Sequence, residues 1–336
     1  MAAWLRRHPQ IEIVARGRHG GYARPTPTGR DILVEVRAIS VNPVDTKARG
    51  SARPEPGHWK VLGWDAAGVV VAAGPDATLF KPGDEVFYAG AINRTGTNAE
   101  FHLVDERIVG KKPATLDFAA AAALPLTSIT AWEMLFDRLR VTDPVPGAAR
   151  AIVIIGGAGG VGSIAIQIAR ALTDLTVIAT ASRPETQDWA KSLGAHHVID
   201  HRQPIAAQIE ALGLGQPAFV FSTTNTADHY AQIVELIAPQ GRFGLIDDPK
   251  ELSALPLKRK SISLHWELMF TRSLFGTADI DKQHDLLTRV SALVDEGRIK
   301  TTATENFGKI NAENLKRAHA LLESGKSKGK IVLGGF

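Results

Sequence analysis

The stretch IVIIGGAGGVGSIAIQIAR, residues 152–170, decides the fold. Four β-branched residues in a row read as a strand buried on both faces. The glycines follow at once, and then apolar residues recur at helical spacing. Gly157, Gly159 and Gly162 give G-x-G-x-x-G between a strand and a helix, the context that makes this motif a dinucleotide fingerprint rather than a chance run of glycines. Gly157 is expected to permit the tight turn, Gly159 to let backbone approach a pyrophosphate, and Gly162 to let the helix pack on the strand. Ala158, Gly160 and Val161 complete the loop. The helix start then offers free N–H groups to the phosphates. Val161, Ile164, Ala165, Ile168 and Leu172 fall on one face, which predicts a helix anchored to the sheet on that side.

The same alternation continues outward. LTVIAT, AHHVID, AFVFS and GRFGLI read as strands, with helices over PETQDWAKSLG, PIAAQIEALG and TADHYAQIVELIA between them. Strands separated by helices of this length predict a parallel, doubly wound sheet. KSISLHWELMF is expected to add a sixth strand. The second strand ends VIATASRPE, with no acid where an NAD site would hold the ribose hydroxyls. Ser182 and Arg183 stand there instead, a hydroxyl and a guanidinium suited to a 2′-phosphate, so NADP(H) is favoured.

Upstream, from Asp31 to about Lys111, short apolar runs broken by Pro and Gly predict strands, including DILVEVRAIS, GVVVAAG, DEVFYAG and AEFHLVDE. DFAAAAALPLTSITAWEML then reads as helix, interrupted at Pro125 and resumed after Thr127. QHDLLTRVSALVDEGRIK and NAENLKRAHALLESGKSKGKIVL predict two helices and a closing strand. That strand lacks a partner in its own segment and is expected to return to the first β-domain. The boundaries are drawn as 1–126, completed by 268–336, around a nucleotide-binding domain over 127–267.

Composition fits a globular chain of two domains: 336 residues, 44% hydrophobic and 22% charged. No uninterrupted apolar run reads as a bilayer span, and the N-terminus lacks a secretory h-region, so cytoplasmic residence is expected. The net charge of +4 is scattered rather than banked in a stripe, which argues against nucleic acid. The absence of Cys removes thiolate from the available nucleophiles and metal ligands. His196, His197 and His201 in HHVIDHR read as a strand and its exit, since nothing is spaced to complete a metal site.

These pieces together resemble the medium-chain dehydrogenase/reductase superfamily over almost the whole chain. The resemblance is carried in order by ISVNPVDTKARG, LGWDAAGVV, KPGDEVFY, AEFHLVDE, LPLTSITAWEML, GGAGGVGSIAIQIAR and GKSKGKIVL. It implies a GroES-like β-domain clasping a Rossmann domain, with the active site in the cleft, and it places the chain in the zinc-free quinone-oxidoreductase branch, close to the zinc-type alcohol-dehydrogenase-like group. Zinc alcohol dehydrogenases carry Gly-His-Glu where this chain has Gly63, Trp64 and Asp65, and a Cys where it has Asn42. A tetrahedral catalytic zinc is therefore not expected. Without that Lewis acid the acceptor must be electrophilic in itself, a quinone or an α,β-unsaturated carbonyl. An enoyl thioester is the alternative substrate, and a non-catalytic dinucleotide- or RNA-binding role the alternative class.

The resemblance further implies Asn42 and Tyr88 as donors facing the cleft, with Asp45 orienting Asn42 or the nicotinamide ribose, and Trp64 at the catalytic site in place of the zinc-ligating His. Sequence chemistry alone leaves Asn42 and Asp45 equally readable as caps of a turn at Pro43. Thr127 and Thr130, Thr223 and Asn225, and Gly244 and Ile246 would lie near the nicotinamide, with helix capping, loop polarity and core packing as the respective alternatives. His201 would stand near the 2′-phosphate, and Lys326 and Lys328 would reach cofactor phosphates or remain in a solvated loop. An apolar edge strand in SISLHWELMF, paired in relatives across a two-fold axis, implies a homodimer.

Overall fold

The computed structural model describes residues 24–52 and 60–336. The opening residues of the domain drawn from residue 1 lie outside the described residues. Five strands come first: β1 (Asp31–Val41), β2 (Ala66–Ala73), β3 (Glu85–Tyr88), β4 (Phe101–Asp105) and β5 (Val109–Lys111). Six follow: β6 (Ala149–Ile155), β7 (Thr176–Thr180), β8 (His197–Ile199), β9 (Pro217–Ser222), β10 (Arg242–Leu245) and β11 (Ser263–Trp266). The last two are β12 (Ala303–Asn306) and β13 (Lys330–Gly334). The chain divides into two compact units. One holds the described residues up to Leu126 with Phe270–Gly297 and Thr301–Phe336; the other holds Thr127–Met269 with Arg298–Lys300.

The first unit is the GroES-like one. Its sheet runs β12-β13-β1-β2-β3-β5, with β4 also paired to β1. The long β1 forms antiparallel ladders with β2, β4 and β13, and shifts register against β2 between Leu33 and Val34 and again between Val36 and Ala38. Such irregularities let one strand bend to serve several partners. Ile32, Val34, Val36, Ile39, Val86 and Leu333 fill the core. The return of β13 to β1 agrees with expectation, but β13 also pairs in parallel with β12 from its own segment. ATEN is short and carries only one apolar side chain, so no alternation marks it as a strand.

The second unit is a six-stranded parallel sheet in the order β11-β10-β9-β6-β7-β8. Its helices lie at Gly160–Leu172, Pro184–Ser192, Ile205–Ala211 and Thr226–Leu236. This is the doubly wound arrangement of a Rossmann fold. One expectation needs correction. The helix Gly160–Leu172 is buried around its circumference from Gly162 to Ala169 rather than on one stripe. Its polar positions are matched: Trp189 Nε1 donates to Ser163 Oγ at 2.8 Å, and Gln167 exchanges bonds with the Lys300 backbone at 2.8 and 3.1 Å.

The helical segment ahead of β6 also differs from its reading. It does not resume after Thr127 but at Pro125, which begins the helix Pro125–Trp132, since proline at a first turn gives up no helix hydrogen bond. A π-helical turn, Glu133–Arg138, follows. Phe118–Arg138 is the one run among the described residues long and apolar enough to cross a membrane, and 78% of its most apolar window is buried inside the protein.

Candidate functional site

In the doubly wound sheet the chain leaves β6 toward β7 and returns on the other side through β9. Ligands bind such sheets beyond the C-terminal strand ends at this reversal. The loops there are 156–159 and 223–225. Gly156 is left-handed, with φ of +79°. A Cβ on it would lie 2.4 Å from Thr223 Oγ1, so the two loops abut without room for a side chain. The residue that makes the tight turn is therefore Gly156, one before the position the spacing predicted. Gly157 instead allows approach to β7, where a Cβ would meet that of Ala179 at 2.7 Å. At Gly162 a Cβ would meet Gly156 O at 2.3 Å, so the helix start packs closely on the turn that follows β6. Gly159 caps the helix Gly160–Leu172 in extended conformation. Gly157, Ala158 and Gly162 are buried, while Gly159, Gly160 and Val161 stay partly accessible at the helix start. This cradle fits a dinucleotide pyrophosphate: it presents backbone N–H groups and leaves no side chain in the way.

Thr180, at the end of β7, ties the loop down by accepting from Gly156 N at 3.0 Å. Its hydroxyl also meets His201 Nδ1 at 3.3 Å. Burial and the facing His229 hold the His201 imidazole below its ordinary range, so it is neutral at pH 7 and offers hydrogen bonding rather than charge. Ser182 and Arg183 are partly exposed, and Arg183 Nε pairs with Glu185 at 3.0 Å. A residue the sequence reading passed over joins them: Arg202 Nη2 donates to the Ser182 carbonyl at 2.6 Å. Its signal lay in HHVIDHR, weighed only for its histidines.

Across the reversal, Thr223 Oγ1 donates to Ile155 O at 2.8 Å and Asn225 takes a left-handed conformation ahead of the helix Thr226–Leu236. Asp247 accepts from Thr226 N at 2.8 Å and so pins this loop. Ile246 is half-buried just past β10. Gly244 is buried, and its absent Cβ makes room for Met134 of the π-turn, whose Sδ would lie 2.2 Å away. Thr127 and Thr130 are buried one helical turn apart on Pro125–Trp132.

The other unit holds a buried polar cluster. The chain leaves β1 at Asn42 and enters the helix Pro43–Ser51, and Asn42 N donates to Asp45 Oδ2 at 2.7 Å, the capping arrangement. The Asn42 side chain does more than cap. Its Nδ2 donates to Asp65 Oδ2 at 2.8 Å, and its Oδ1 accepts from Lys330 Nζ. Lys330 also donates to Asp65 Oδ2 at 3.0 Å and to Val41 O at 2.9 Å, while Leu126 N donates to Asp65 Oδ1 at 2.8 Å. All four side chains are at most 3% exposed. The amide orientation is thereby fixed, because an ammonium can only donate and a carboxylate only accept. Asp45 Oδ1 has no hydrogen-bond partner, and burial raises the Asp45 carboxyl to about 7. Lys330, on a strand that closes the chain 288 residues after Asn42, was not singled out in the sequence.

Two expectations fall differently. Tyr88 faces the core of its sheet, fully buried, rather than a cleft. Its hydroxyl meets His102 Nδ1 at 3.1 Å, and because His102 Nε2 donates to Thr95 O at 2.8 Å, Nδ1 is the acceptor and the Tyr88 hydroxyl is spent on it. Trp64 is also interior, 1% exposed, with Nε1 donating to Ala91 O at 3.3 Å and its ring edge-on to Phe270. Lys326 is exposed and Lys328 half-buried in the turn before β13.

The donor set does not suit zinc. The indole of Trp64 has no lone pair to give, and the Asn42 oxygen is turned to an ammonium. No group of three or more His, Cys, Asp or Glu side chains is placed to hold a metal among the described residues.

Comparison with known proteins follows the two units. Residues 28–114 match the alcohol dehydrogenase GroES-like domain family, and residues 193–333 match the zinc-binding dehydrogenase family. A zinc-type alcohol dehydrogenase-like protein of Staphylococcus aureus (strain COL) is 44% identical over 314 residues, covering 92% of each chain. A crystal structure from Rhizobium etli CFN 42, provisionally described as a zinc-dependent alcohol dehydrogenase, is 69% identical with a TM-score of 0.92, covering 93% of this chain and 91% of that one. A quinone oxidoreductase of Pseudomonas syringae pv. Tomato DC3000 is 26% identical with a TM-score of 0.76, covering 94% of both.

Proposed function

Because the chain belongs to the medium-chain dehydrogenase/reductase superfamily, we propose that it is an NADPH-dependent reductase of quinones or α,β-unsaturated carbonyls that works without a metal. One observation carries this reading: the dinucleotide cradle is intact, whereas Asn42 and Trp64, at the positions of the zinc ligands in related alcohol dehydrogenases, are bonded to Lys330, Asp65 and Ala91 instead. A dehydrogenase lacking a Lewis acid cannot readily stabilise the alkoxide that alcohol oxidation needs, but an acceptor that delocalises charge needs no such help.

The first-turn amides of Gly160, Val161 and Gly162 bind the pyrophosphate, while Gly157, Ala158 and Gly159 shape the turn that receives it, the N–H groups of Gly157 and Gly159 being held by Thr180 O and Gly156 O. Ser182, Arg183 and His201 receive the 2′-phosphate. Thr127, Thr130, Thr223, Asn225 and Ile246 orient the nicotinamide end, while Lys326 and Lys328 add positive charge. When bound, the cofactor supplies the hydride. Asn42 Nδ2 has a second N–H beyond the one given to Asp65, and this N–H serves the oxygen on which charge develops; Lys330 and Asp65 hold the amide so that little reorganisation is needed. Asp45 positions Asn42 through its backbone. For the alternative enoyl-thioester substrate, the Tyr88 hydroxyl is bound to His102 within the core and is not the proton donor.

The assembly proposed is a homodimer through β11, which ends the parallel sheet and leaves Trp266 and Leu268 about half exposed. Light scattering should give twice 36.0 kDa; a monomeric mass at micromolar concentration rules the dimer out.

Calorimetric titration should show NADPH bound at least about tenfold more tightly than NADH, the value of one charge-assisted phosphate contact. Exhaustively chelated protein should still oxidise NADPH with quinones or enones, contain no stoichiometric zinc, and turn over ethanol poorly. Equal cofactor affinities, or activity lost on chelation and regained with zinc, overturn the proposal.

A further inference from the structure

β7 ends without an acid, but its neighbour β8 does not: Asp200 follows Ile199 directly. An accessible carboxylate at this rim of a doubly wound sheet accepts ribose hydroxyls and repels phosphate. Here it is occupied. Asp200 Oδ1 accepts from Arg202 N at 2.9 Å and Nε at 3.1 Å, and Oδ2 accepts from Nε at 3.1 Å and Nη2 at 2.8 Å. Nη2 also reaches the Ser182 carbonyl at 2.6 Å, which carries the guanidinium onto the loop that holds Arg183. The Arg202 side chain is 62% exposed, and Nη1 takes part in none of these bonds. A planar guanidinium held by one carboxylate still presents free N–H groups in a fixed fork.

We propose that Arg202 determines cofactor specificity in two ways: it neutralises Asp200, and it supplies the second guanidinium, beside Arg183, for a phosphate monoester on the adenosine ribose. This rests on the reading of the 156–162 loop as a dinucleotide site. Losing Arg202 removes an attraction and also uncovers a carboxylate that repels phosphate and welcomes a hydroxyl. Losing Arg183 removes an attraction only. The neutral His201 between Asp200 and Arg202 adds no charge to either balance at pH 7.

The test is calorimetric binding of two probes that differ only in the 2′-phosphate, adenosine 2′,5′-bisphosphate and adenosine 5′-monophosphate. The unmodified protein should favour the bisphosphate. Arg202→Ala should cut that preference roughly a hundredfold and Arg183→Ala roughly tenfold; monophosphate affinity should be kept by Arg183→Ala and kept or raised by Arg202→Ala, whose uncovered carboxylate accepts the ribose hydroxyl, and a thermal unfolding midpoint near the parent's checks folding of both. Asp200→Asn added to Arg202→Ala should return part of the loss. If the unmodified protein does not distinguish the probes, the NADPH reading falls and this inference with it. If it does distinguish them but Arg202→Ala keeps the preference within twofold, Arg202 is not a determinant while the NADPH reading stands. A double variant no better than Arg202→Ala overturns the masking of Asp200.

Discussion

Lys330→Ala is expected to be among the most destabilising single changes in the GroES-like unit, by about 3–5 kcal/mol, the usual consequence of leaving one charge of a buried pair alone. Lys330 is 3% exposed and Asp65 fully buried, so water cannot replace the lost ammonium. The change also frees Asn42 Oδ1 and Val41 O, both buried acceptors. Lys330→Met, which keeps most of the volume, should remain strongly destabilised, and adding Asp65→Asn should recover part of the loss because no uncompensated charge then remains. Denaturant unfolding of the four proteins reads this directly. A Lys330→Ala midpoint equal to that of the parent would falsify the role given to the cluster.

The same cluster gives a signed pH dependence. The Asp45 carboxyl is raised from an ordinary carboxylate value to about 7 in the folded protein, chiefly by burial, so folding favours its protonated form. Its stabilising contribution is complete below the unfolded value near 4, falls as pH rises through the interval to 7, and is gone above it. Asp45→Asn should flatten stability between pH 4 and 7, an effect of at most about 4 kcal/mol on the scale of 1.36 kcal/mol per unit. An unchanged pH profile in the variant would contradict this.

Two glycines of one loop should separate folding from binding. Gly162→Ala puts a Cβ 2.3 Å from the Gly156 carbonyl oxygen and 2.7 Å from Gly157 Cα, both backbone atoms that cannot swing aside. The helix must retreat from β6, at about 1–3 kcal/mol, and dinucleotide binding should be lost with the loop geometry. Gly159→Ala meets nothing nearer than Gly156 O at 3.4 Å, and its extended backbone suits alanine. It should fold within about 1 kcal/mol of the parent, the cost of a poorer helix cap. Its methyl group nevertheless stands where, on the proposed reading, backbone approaches the pyrophosphate, so NADPH affinity should fall about tenfold or more. Thermal unfolding and calorimetric titration of both variants decide the matter. Gly159→Ala binding NADPH as the parent does would remove the loop from the cofactor site.

The sequence by itself determined the parallel sheet and its dinucleotide loop, because both are written in local chemistry. Strand and helix periodicities differ, and only glycine allows a strand, a tight turn and a helix start to crowd together within a few residues. The longer strands of the other unit were legible for the same reason, but Val109–Lys111 and ATEN were not, since each is short and its pairing comes from β3 or β13 and not from its own pattern. Tertiary structure decided what depends on distant parts of the chain. Which glycine makes the turn was settled by Thr223 approaching Gly156 from β9; Met134 packs into the space a side chain on Gly244 would fill; Tyr88 lies in the core, bonded to His102. The role proposed for Arg202 depends on β7 and β8 lying side by side, and the orientation of Asn42 required Lys330 from β13. Hydrogen bonds and charge pairs act over a few ångströms of space without regard to sequence separation, so no local pattern in the chain records them.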